Sequence, residues 1–164
     1  MPVKNIPSVE KDRLRFTKNK LSADLILGAI AVNALYFVSI YGSDVGNWYY
    51  KLFIGGSIVY NLIFMLFAFL SSEGVKGYKM SYAVISIFLG ALQIVRIFLL
   101  PMKAHNAPSP VVGADGSTVM SGGQFRYVTI CLCVSAALLV AAGIIGIIKT
   151  KTLSSYQALL DEEG

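Results

Sequence analysis

The chain has 164 residues, 55% of them apolar and 14% charged, with a mean hydropathy of +0.66 and a net charge of +5. Soluble domains carry about 25% charged residues, so this composition excludes an ordinary soluble fold and describes a membrane protein. One His and two Cys, Cys131 and Cys133, are too few for a metal centre or a disulfide framework, and no aromatic-interleaved basic platform for nucleic acid accompanies the charge.

In chain order, residues 1–21 form a basic segment with Lys4, Lys11, Arg13, Arg15, Lys18 and Lys20. Helix is expected after Pro7, with Ser8 as N-cap, continuing into the first span. Anionic lipid headgroups are the expected neighbours, each basic residue contributing about 1 kcal/mol near the surface. Residues 22–148 form the membrane domain and 149–164 a tail. Four apolar runs, 22–41, 49–70, 80–101 and 127–148, each reach the roughly 20 residues a spanning helix needs. The first run lacks a small-residue cleavage site after it and reads as a retained span rather than a signal peptide. The fold class is therefore an all-α membrane protein, a bundle of four transmembrane helices.

Orientation follows from the flanking Lys and Arg, which stay preferentially on the cytoplasmic side. The N-terminal segment, Lys76 and Lys79 after the second run, and Lys149 and Lys151 after the fourth share one side. The other side has Lys51, Lys103 and Arg126 with Asp44 and Asp115. Both termini are expected in the cytoplasm, in a bacterial-type plasma membrane.

Polar residues recur inside the spans. Asn33, Asn61 and Gln93 place one amide in each of the first three runs at comparable depth, which predicts a shared layer turned away from lipid. Arg96 lies about four residues, roughly 6 Å of rise, from the outer end of the third run. Two readings follow for it. One is a side chain snorkelling to the interface; the other is a buried partner for another group, Asp44 being the nearest carboxylate expected, with a backbone carbonyl, a lipid phosphate or a residue of another subunit serving as well.

Ser86, Gly90 and Gln93 follow at i, i+4 and i+7, one stripe of the third helix, with Arg96 at its edge. Ser86 with Gly90, and Ala142 with Gly146, make small-xxx-small steps suited to close helix packing. Ala136, Ala137 and Gly143 add small surface to the fourth run, and Gly55, Gly56 and Ser57 open the second.

The outer loop, 102–126, holds two β-branched pairs, Val111 with Val112 and Thr118 with Val119, around the Asp115-Gly116 turn pair. That pattern predicts an extracytoplasmic β-hairpin, and an isolated hairpin needs a floor to pack on. Trp48, Tyr49 and Tyr50 supply one, or an interfacial aromatic belt. His105 has no second His or nucleophile to complete a constellation, and 121–123 reads as a turn before the last span. In the tail, Ser154 or Ser155 caps a short expected helix edged by Leu159 and Leu160.

No carboxylate, Lys, His or Pro stands in the middle of any span, so the proton relay and broken helices of ion-coupled carriers are not expected, nor are an enzyme or a cofactor. A non-catalytic subunit of a larger membrane assembly, such as an accessory subunit of a transporter, fits these features best. Its partners are the lipid bilayer and other membrane subunits. A homo-oligomeric channel or carrier lined by Asn33, Asn61, Gln93 and Arg96 is the alternative, and recognition through the outer hairpin is a third reading.

Overall fold

The computed structural model describes residues 13–41, 48–108 and 118–162. Five helices follow in order: α1 Lys20–Tyr41, α2 Trp48–Lys76, α3 Met80–Leu99, α4 Pro101–Asn106 and α5 Gly122–Glu162. Four segments, Lys20–Ile40, Gly55–Lys76, Met80–Asn106 and Gly122–Leu160, are long and apolar enough to cross a membrane, which makes this an integral membrane protein. α5 packs most closely on α3 and α1, α1 supports α2, and the α2–α3 seam is looser than these three.

Local chemistry sets the ends of these helices. Asn19 precedes α1 and donates from Nδ2 to Ser22 Oγ at 2.8 Å, while its backbone N–H reaches the carbonyl of Lys76 at 3.2 Å and its Oδ1 accepts from Lys149 Nζ at 3.1 Å. One buried amide thus gathers the start of α1, the end of α2 and the body of α5 at one end of the bundle. There the chain turns from α2 to α3 with Lys79 N–H bonded to Gly74 O and Tyr78 N–H to Val75 O, the 6→1 and 5→2 pair of a Schellman ending. Tyr78 holds the left-handed position, with φ of 55°, where glycine is the usual occupant. At the opposite end Pro101, at the first position of α4, lacks the N–H that would continue α3, so the helix breaks at Leu100.

Two apolar clusters fill the interior. One joins Ile26, Ala29, Phe64, Ala68, Val75, Ala83, Leu89, Leu139 and Ala142; the other joins Tyr36, Ile40, Leu100, Ala104, Met120, Val128, Cys131 and Leu132. Close approach of α3 and α5 binds the first. A Cβ on Gly90 would stand 3.1 Å from Ala136 O and 2.8 Å from Val140 Cγ2, one on Gly146 3.0 Å from Ala83 Cβ, and one on Gly143 only 2.7 Å from Ala83 O. Ser86 adds a hydrogen bond from Oγ to Leu139 O at 2.8 Å, and Ala142 is fully buried. Ser86, Gly90, Ala142, Gly143 and Gly146 are therefore packing contacts, with Gly143 the tightest, whereas Gly55, Gly56 and Ala137 are exposed and a Cβ on Gly55 or Gly56 meets nothing within 4 Å.

Three expectations are corrected. Residues 102–126 are not one polar loop, because helix occupies Pro101–Asn106 and resumes at Gly122. The tail is not a separate capped helix: α5 runs unbroken past Lys149, so Ser154 and Ser155 are helix-interior residues. The β-hairpin is not present as strands among the described residues, where the sheet contact is one antiparallel bridge, Pro108 to Thr118, beside a bond from Val119 N–H to Ala107 O at 2.9 Å. Val111, Val112, Asp115 and Gly116 lie outside the described residues, as do Ser8, Asp44 and the side chains of Trp48, Tyr49 and Tyr50. His105 has a packing role, its ring stacked on Phe125 at 4.6 Å and its Nδ1 3.2 Å from Met120 O.

Candidate functional site: a buried arginine in an amide layer

Between the two apolar clusters lies a polar layer drawn from all four long helices. α1 supplies Asn33, one turn from Ala29 and nearly one from Tyr36; α2 supplies Asn61 and, one turn earlier, Ser57; α3 supplies Gln93 and Arg96; α5 supplies Ser135. Asn33, Gln93 and Ser135 are fully buried, Asn61 is 2% exposed and Arg96 4%. Arg96 therefore turns inward, and of the two readings for it the interfacial one is set aside.

The hydrogen bonds are ordered around the cation. Arg96 Nη1 donates to Asn33 Oδ1 and to Asn61 Oδ1, each at 3.2 Å, and Nη2 donates to Ser57 Oγ at 3.1 Å. A guanidinium offers donors only, so both amides must present oxygen to it. That requirement fixes which way each asparagine faces. Asn33 can then donate from Nδ2 to Asn61 Oδ1, at 2.6 Å, and Asn61 Nδ2 is left to reach Met65 Sδ at 3.7 Å. Gln93 Nε2 donates to Asn33 Oδ1 at 3.0 Å and to Ser135 Oγ at 3.3 Å, and Ser135 passes its own proton to Ala29 O at 3.1 Å.

No carboxylate pairs with Arg96 among the described residues. Aromatic faces stand in part for a counter-ion: the guanidinium carbon lies 4.2 Å from the ring centre of Tyr36 and 4.8 Å from that of Tyr60. Such contacts reach about 2 kcal/mol where water is excluded. Gln93 Oε1 and the hydroxyl of Tyr60 are buried without a hydrogen-bond partner among the described residues. The layer thus holds one cation, neutral acceptors and, among the described residues, two polar atoms without a partner.

Beside Arg96 the α2–α3 seam opens into a cavity of about 360 Å³ lined by Leu52, Gly56, Ser57, Tyr60, Leu92, Arg96, Leu99 and Leu100. A second cavity of about 260 Å³, walled by Ile63, Phe64, Phe67, Ile85, Phe88 and Leu89, adjoins it, and both are bounded by Tyr60 and Leu92. Chemically this is a cation and a hydroxyl at the head of an apolar trough. No three His, Cys, Asp or Glu side chains meet as a metal site among the described residues.

The three amides expected to share a layer are joined through Asn33, which bonds Asn61 and Gln93, and Arg96 adds to them at Asn33 and Asn61. Sequence reasoning did not join Ser57, Tyr36, Tyr60 and Ser135 to them, although Ser57 at Asn61−4 and Tyr36 at Asn33+3 share helix faces with the amides. No protein-family model, curated protein or solved structure matches this chain.

Proposed function

We propose that this chain is a non-catalytic integral membrane subunit that packs within a larger membrane assembly, of which an accessory subunit of a transporter is one form. The observation that carries the reading is the set of bonds among Asn33, Asn61, Gln93, Arg96 and Ser135, in which the intramembrane amides serve one another and the cation. A conduit through one protomer would need those groups to face water. Both termini are assigned to the cytoplasm on the basic residues that flank the Asn19 end of the bundle.

A contact face for a neighbouring subunit lies on α2. Gly55, Val59, Leu62, Leu66 and Phe69 follow at helical spacing and are exposed, and nothing within 4 Å meets a Cβ built on Gly55. Membrane helices associate where small residues let backbones approach and side chains interlock. Copurification of tagged protein in mild detergent is expected to bring down a stoichiometric membrane partner, and Leu62→Arg is expected to release it. A partner-free protein at native expression level overturns the reading.

A carrier formed between protomers is the second reading, supported by the cation at the head of the α2–α3 cavity. Under it, liposome flux of a small anion would fall on Gln93→Leu or Arg96→Gln with the fold retained. Equal flux through empty and protein-bearing liposomes rejects it.

A further inference from the structure

The geometry points to a binding site for an anionic phospholipid in the α2–α3 seam, with its phosphate at Arg96 and Ser57 and an acyl chain along the adjoining apolar trough. This goes beyond the assembly reading and does not rest on it, because the seam residues Gly56, Tyr60, Ile63 and Phe67 lie on a different face of α2 from the Gly55, Val59, Leu62 and Leu66 stripe.

Charge supplies the first reason. Arg96 is a cation whose protein acceptors among the described residues are all neutral, two amide oxygens and a hydroxyl. Phosphate oxygens accept from a guanidinium fork with particular strength. Tyr60, which lines both cavities, has a hydroxyl enclosed without a partner and available to donate to the same anion.

Depth supplies the second. Arg96 stands three residues before the end of α3 at Leu99, about 4.5 Å of helix rise, and so toward the Leu99 end of the α2–α3 seam. From there the trough runs away from the membrane face along Leu92, Phe88 and Ile85 on one wall and Tyr60, Ile63 and Phe67 on the other. An amphiphile entering from the leaflet at the Leu99 end would set its phosphate at Arg96 and Ser57 and its chain along these apolar walls. A free inorganic anion would match the head of the cavity and leave the apolar length unused.

Shape supplies the third. At about 360 Å³ the upper cavity falls within the roughly 300–1,000 Å³ typical of small-ligand sites, and it lies along a seam packed more loosely than the α3–α5, α1–α5 and α1–α2 contacts, where a lipid enters sideways without the core opening.

Spin-labelled phosphatidylglycerol and phosphatidylcholine, each at trace level in nanodiscs of phosphatidylcholine, read the site directly from the immobilised fraction of the label. The expected result is an association of phosphatidylglycerol about fivefold above that of phosphatidylcholine, the factor that one basic residue gives near a membrane surface. Arg96→Gln should reduce the ratio to near one, while Arg96→Lys should keep part of it. Gly56→Trp provides a second variant that leaves Arg96 in place, because a Cβ at Gly56 meets nothing within 4 Å and the indole would enter the cavity, and its melting temperature in mild detergent checks that it folds. It too should abolish the preference. Equal association of the two lipids with the unmodified protein overturns the site, as does a preference that survives Gly56→Trp, which would assign it to basic residues outside the seam. Displacement of the phosphatidylglycerol label by inorganic phosphate at constant ionic strength would reassign the head of the cavity to a free anion and overturn the lipid assignment.

Discussion

Asn33 donates from Nδ2 to Asn61 Oδ1 across 2.6 Å, although the two residues are 28 positions apart and belong to different spanning helices. The bond is possible because Arg96 has already drawn both side-chain oxygens toward itself. Cation and amides are thus one unit, in which the loss of any member strands the others in a medium with no water to replace them.

The first test follows from that unit. Asn33→Leu removes the acceptor used by both Gln93 and Arg96, and is expected to cost about 2–4 kcal/mol, the scale of leaving buried polar and charged groups unpaired. Asn33→Asp retains the acceptor and adds a carboxylate beside the guanidinium, so it should lose much less. Thermal unfolding in one mild detergent ranks the two variants, and equal loss would remove Arg96 from the explanation.

Water access offers a second test. In a chain freed of Cys131 and Cys133, Asn61→Cys and Asn33→Cys should resist a membrane-impermeant maleimide, whereas Met102→Cys, exposed beyond the end of α3, should react. Rapid labelling of position 33 or 61 would mean that the layer lines an aqueous route.

Packing between α3 and α5 gives a third. Gly143→Val would drive a side chain against Ala83 O and Ile87, at 2.7 and 2.4 Å for the Cβ alone, and is expected to cost at least 1–3 kcal/mol, the range of overpacked cores. Gly55→Leu, where a Cβ meets nothing, should leave the stability of the purified chain unchanged. Melting temperatures that fall alike in both variants would deny the specificity of the α3–α5 contact.

Backbone strain gives a fourth. Tyr78 occupies a left-handed conformation that costs a residue with a Cβ about 1 kcal/mol relative to glycine. Tyr78→Gly should therefore raise the melting temperature, as few substitutions in a packed protein do. A fall would assign the side chain a contact that outweighs the strain.

Much of this architecture was legible in the chain. Length and hydropathy suffice to find four spans, because a bilayer tolerates few other structures. The Ser86, Gly90, Gln93 stripe is recovered as the buried face of α3, together with Arg96. What sequence left open was the direction of Arg96, since a long side chain near a helix end can reach either water or the core. The deciding residues are aromatic: Tyr36 and Tyr60 offer ring faces to the guanidinium, a contact with no one-dimensional signature. Helix ends were harder still. Ser154 and Ser155 resemble caps, yet α5 passes through them because helix-favouring Leu and Ala residues continue beyond.

α5 has a mechanical consequence. Beyond Lys149 it continues to Glu162 without a proline or glycine, about 20 Å of rod rigidly joined to the segment that grips α1 and α3. A tilt of about 10° at the grip sweeps the far tip through roughly 3 Å, by the rise of that rod alone. Whatever meets that tip feels the lean of the intramembrane core as a lateral displacement, with no hinge between them to absorb it.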